Sequence, residues 1–229
     1  MNKLKFQKHF LVTIPRYSIL SFFSLMAISM FTYGGGTMNN LDAIGYSFTR
    51  NFFSDLGKFV PNNIISMILF TTALMVSGLS FMAYFYNMMR IFKEKSTYAV
   101  IAKVGLAVGI YGALCFIGVG FTPHNLLNDP HMFFVNGAFR SFFISAFLLT
   151  ITMYKDDRFE NRYALGYLGF ALSIFIYILI LEFAPNPKIS DFYLIFNVVS
   201  QKIIVLIFMI SVLYQSGGNS KFLAQNSNK

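Results

Sequence analysis

The chain has 229 residues and is 56% hydrophobic but only 12% charged, and its 29 Phe, 13 Tyr and 12 Met come without a Trp. Soluble domains carry about a quarter charged residues, and disorder needs low hydrophobicity with high charge density, so this composition excludes both. The formal charge of +9 does not mark a nucleic-acid partner, because the bases are divided among short segments, and the one cysteine, Cys115, excludes an intrachain disulfide and a Cys-rich zinc site.

A hydrocarbon core about 30 Å thick needs about 20 apolar helical residues. Six stretches qualify, at 17–33, 62–87, 98–121, 131–153, 163–184 and 192–214. The expected fold is therefore an all-α polytopic membrane protein with one transmembrane domain over 1–214. Assigning the connections to sides in alternation puts thirteen of the eighteen Lys and Arg on the side of the termini: Lys3, Lys5, Lys8, Arg16, Arg90, Lys93, Lys95, Lys103, Lys155, Arg158, Arg162, Lys221 and Lys229. The positive-inside rule then makes both termini cytoplasmic, in a multi-pass protein of the cell membrane. No small-residue cleavage site follows the first apolar run, so that run is read as a retained span rather than a signal peptide.

The outer connection 34–60 is too long for a simple link. Within it, Ser47 as N-cap and Gly57 as C-cap, with Phe48, Phe52 and Leu56 at i, i+4 and i+8, predict a short interfacial helix over 47–56. Asn51 and Asp55, one turn apart, would share a flank facing the bundle. The Gly34-Gly35-Gly36 run precedes no strand and is not a phosphate-cradling loop. In the third span Gly105, Gly109 and Gly112 form a stripe that lets another helix approach closely.

The second outer link carries His124, Asp129 and His131, ligand types that zinc accepts, with Asp55 able to complete the set. No other cofactor is expected. The spacing matches no strong metal signature, and Asp129-Pro130 reads equally as the N-cap and first residue of the fourth span. A hydrogen-bonding role for His131 ranks ahead of metal ligation. The cytoplasmic His9 is read as solvated.

Charges inside spans cost about 2.5 to 3.5 kcal/mol each even on the lenient insertion scale, which singles out Arg140, Glu182 and Lys202. Arg140 and Lys202 lie about 15 Å below the outer helix starts, and neither can stand unpaired; Glu182 is the natural partner for one of them. Asp191 projects along the face of Lys202. The expected ligand site is an outer-facing polar pocket lined by Asp55, His131, Arg140, Glu182 and Lys202, its cations suited to a phosphate or carboxylate headgroup. The alternatives are a structural subunit packed against other membrane proteins, or a metal-dependent intramembrane lipid hydrolase. The segment from Gln215, rich in Gly, Ser and Asn, is expected to be a disordered tail over 215–229.

Asn51-Phe52-Phe53-Ser54-Asp55-Leu56-Gly57, with Pro61 just before the second span, resembles the Ser-Asp-x-Gly signature of the Frag/DRAM/Sfk-like membrane proteins. The six spans, Pro123 after the third and His131 opening the fourth are similar to that family's prokaryotic branch. The resemblance implies a lipid-related role, with membrane lipids as partners, and makes Asp55 a member of the polar site.

Overall fold

The computed structural model describes residues 3–92 and 96–227; Lys93, Lys95 and Lys229 of the basic tally lie outside them. Among the described residues the secondary structure is helical throughout, with no strand. Helix α1 (Lys3–Lys8) passes through a π turn (His9–Thr13) into α2 (Ile14–Phe31); α3 (Ile64–Met89), α4 (Thr97–Phe121), α5 (Asn128–Tyr154), α6 (Asn161–Phe183) and α7 (Asp191–Ser227) follow. Six helices are long and apolar enough to cross a membrane, and each overlaps one of the expected spans, 17–33 and 163–184 running two residues and one residue past their helices. The protein is an integral membrane protein whose outward faces contact lipid.

Consecutive helices pack side by side, and small residues set how closely. A Cβ on Gly105, Gly109 or Gly112 would meet Leu148, Ser145 or Ser141 of α5 at 3.0, 2.8 and 3.0 Å, so the glycine stripe seats α4 on α5. Gly78 of α3 faces Ile117 of α4 even more tightly, at 2.3 Å. Helix α4 starts where the Ser96 hydroxyl accepts the Ala99 N–H as an N-cap.

The C-terminal segment differs from expectation. Helix α7 does not stop at 214 but runs on to Ser227. Its added turns have partners: Ser216 accepts from Arg16, Asn219 donates to the Leu11 carbonyl and to the Tyr84 hydroxyl, and Phe222 stacks on Phe159. The π turn widens the first helix where Asn219 reaches the Leu11 carbonyl, and π turns recur at such specialised places. Composition favoured disorder; tertiary contacts overrode it.

The fourth span also begins earlier than its sequence signals suggest. Helix α5 starts at Asn128 with Leu127 before it, so Asp129 is an exposed first-turn residue rather than the cap. Pro130 still falls in the first turn, where its missing N–H costs nothing.

Candidate functional site

The long first connection folds into the bundle instead of lying on it as a helix. Only Phe53–Gly57 is helical, as a 3-10 turn, so Phe48 is exposed while Leu56 is fully buried, and the expected 47–56 helix with one apolar face does not form. The chain reverses at Gly35 and Gly36, whose φ angles of +98° and +84° suit glycine. Tyr33 and Asn51 both donate to the Gly36 carbonyl, at 2.9 and 2.7 Å, and Ser47 N–H donates to Asn51 Oδ1 at 2.9 Å. The turn is then fastened to α3: Asn63 donates to the carbonyls of Leu56 and Lys58, and Ser66 donates to Leu56.

Asp55 stands at the centre, 3% exposed. Its Oδ2 accepts from Phe52 N–H at 2.8 Å and Asn51 Nδ2 at 3.2 Å; its Oδ1 faces Lys58 Nζ at 2.8 Å and His124 Nε2 at 3.2 Å. The expected Asn51–Asp55 proximity is thus present, built by the turn. Burial pushes the carboxyl upward, but the His124 hydrogen bond and the Lys58 charge outweigh it and hold Asp55 below its ordinary value of 3.8. Burial, with Asp55 nearby, pushes the Tyr33 and Tyr46 phenols well up, so both stay neutral hydroxyls.

Lys202, 6% exposed on α7, donates to the Asn51 carbonyl at 2.6 Å. Its ammonium lies 5.4, 5.0 and 5.1 Å from the ring centres of Tyr46, Phe48 and Phe53. Among the described residues no carboxylate pairs with it. The neighbouring Gln201 accepts the Phe53 N–H at 2.7 Å. Lys202 looks onto an apolar crevice of about 320 Å³ between α2 and α7, walled by Phe22, Phe23, Met26 and Met30 on one side and Val199, Ile203 and Leu206 on the other. A smaller cavity of about 60 Å³ adjoins it, sharing Phe22, Met26, Phe53 and Val205, and carries Ser54, His131 and Gln201.

The five expected ligand residues therefore divide. Asp55 and Lys202 converge on the first connection, and His131 lies in the adjoining cavity. Arg140 and Glu182 pair with each other between α5 and α6, their side chains 56% and 43% exposed, and neither lines the two cavities. Asp191 is taken by Arg50, which grips it through two nitrogens at 2.6 and 3.1 Å.

The zinc set does not assemble. Among the described residues no group of three or more His, Cys, Asp or Glu is placed to hold a metal. His131 turns its Nδ1 to the Thr122 carbonyl at 2.7 Å, its ring is 5.8 Å from that of His124, and Asp129 is exposed at the start of α5. Sequence reasoning missed Tyr33, Tyr46 and the ring cage, and saw Ser54 only as part of the Ser-Asp-x-Gly signature. Gln201 alone had a signal, its place beside Lys202 on a polar face.

Residues 26–213 match the family described as Protein of unknown function (DUF998), and the chain belongs to that family. No curated protein and no solved structure matches it significantly.

Proposed function

We propose that the protein binds an anionic amphiphile in the crevice between α2 and α7, its headgroup charge at Lys202 and its chain along the apolar walls. The observation that carries this reading is a buried ammonium, held by one carbonyl and three aromatic rings with no carboxylate bonded to it among the described residues, at the end of an apolar crevice. Asp55 lies close enough to act on the ammonium but spends its oxygens on Lys58 and His124, so a buried cation is left without a bonded counter-charge, and a phosphate or carboxylate would supply it. The volume falls within the range of about 300 to 1,000 Å³ usual for ligand pockets. The basic excess beside the termini supports an orientation in which this crevice opens toward the outer leaflet of the cell membrane. The Ser54-Asp55-Leu56-Gly57 likeness to Frag/DRAM/Sfk-like proteins accords with a lipid-related role.

Quantifying co-purified lipid by mass spectrometry tests the reading. Lys202→Met should lower bound anionic phospholipid about tenfold, the effect of losing one charge-assisted hydrogen bond of about 1.5 kcal/mol, while the protein stays folded. Unchanged anionic lipid in folded Lys202→Met would refute the binding role and leave a structural subunit, with Lys202 serving to fasten the first connection to α7. Arg140→Gln should leave crevice lipid unchanged, since Arg140 is engaged with Glu182 elsewhere.

A further inference from the structure

The small cavity beside the crevice has an unbalanced set of hydrogen-bonding groups. Its volume of about 60 Å³ exceeds the roughly 10 to 15 Å³ that one water requires. His131, 5% exposed, donates from Nδ1 to the Thr122 carbonyl, and the Val119 carbonyl is a further backbone acceptor for the ring. In the neutral imidazole this leaves Nε2 as a lone-pair acceptor. Among the described residues no donor reaches that nitrogen. Gln201 uses its Oε1 on the Phe53 N–H, which fixes the amide's orientation and leaves its NH₂ donors over. The Ser54 hydroxyl makes no hydrogen bond with the described residues. One acceptor and several donors thus line a single small space, and in an apolar bundle each unmade bond is costly.

We propose that this cavity is a binding site for a hydroxyl group, which donates to His131 Nε2 and accepts from Gln201 or Ser54. A phosphodiester or an ionised carboxylate does not fit, because it has no proton to offer His131. The hydroxyl comes either from a neutral glycerolipid reaching in from the crevice or from water. The lipid source rests on that part of the crevice reading which has a lipid chain along the apolar walls, not on the headgroup charge at Lys202; the site itself rests on neither.

The experiment is nitrogen NMR of ¹⁵N-histidine-labelled protein in phosphatidylcholine nanodiscs, with and without added dioleoylglycerol. The His131 Nε2 signal should be that of an unprotonated nitrogen accepting a hydrogen bond. Ser54→Val, which fills the cavity, should move it to the position of a bare unprotonated nitrogen while the Nδ1–H signal persists. Ser54→Thr, one methyl larger, is read in the same way if valine is not tolerated. A shift on adding dioleoylglycerol identifies a lipid hydroxyl; no shift together with a water cross-peak identifies water, and either supports the site. A protonated Nε2, a bare Nε2 in the unmodified protein, or a signal indifferent to both Ser54 variants overturns it. Lys202→Met should leave the His131 signal in place, so retained anionic lipid in that variant with the His131 bond intact would refute the crevice reading alone.

Discussion

Asp55 owes its charge to its neighbours. A buried carboxylate is stable only when each oxygen has donors, and here Phe52, Asn51, Lys58 and His124 provide them. Asp55→Ala strands Lys58 and reopens the turn, and should cost about 3 to 5 kcal/mol by thermal unfolding. Asp129→Ala, at an exposed position, should stay within about 0.5 kcal/mol. The pH dependence follows from the lowered carboxyl: a group whose folded value lies below its unfolded value stabilises above the unfolded value, and that stability disappears as pH falls through the folded one. The melting temperature should drop on acidification below about pH 4, and drop less in Asp55→Asn. Asp55 was legible through its Ser-Asp-x-Gly setting and its nearness to Asn51. Its partner His124 was legible as a residue, not as a contact, since the two are joined only when the first and second outer links fold together. Lys202 stood out because a charge inside a span is expensive. Its acceptor is a backbone carbonyl, which residue types do not advertise.

At the scale of elements, glycine separates two effects that sequence alone mixes. A Cβ at Gly78 would lie 2.3 Å from Ile117 and 3.0 Å from the Ala113 carbonyl, whereas one at Gly169 meets nothing within 4 Å. Gly78→Val should therefore lower the melting temperature, by about 1 to 3 kcal/mol of overpacking, and Gly169→Ala should hold or raise it by up to about 1 kcal/mol of helix propensity. Equal losses at both positions would contradict this packing. The stripe at Gly105, Gly109 and Gly112 was readable because helical spacing puts such residues on one face. The 47–56 helix was misread for a related reason. Its caps and apolar spacing fit a helix, yet Asn51 and Asp55 find better partners in the turns around Gly36 and Lys58, and polar satisfaction in the bundle outweighs local propensity.

At the scale of the molecule, the two ends of the bundle differ in kind. One end carries Asp55, Lys202, His124 and His131 beneath folded connections; the other carries α7's extension, clasped to the first helix through Asn219 and Arg16. Because Cys115 is buried, single cysteines report sidedness cleanly. Asp42→Cys should react with an impermeant maleimide in intact cells and Asp157→Cys should not, both positions being exposed; the opposite pattern would invert the proposed topology. The sequence by itself determined that the chain is helical, that it crosses a membrane six times and where each crossing lies, because hydropathy is a local quantity that sums along a segment. Only the tertiary structure decided which polar groups meet. Arg140 found Glu182, Asp191 found Arg50 and Lys202 found a carbonyl and three rings, because pairing depends on how each helix is rotated and how deep each connection folds, and those are set by packing among distant segments.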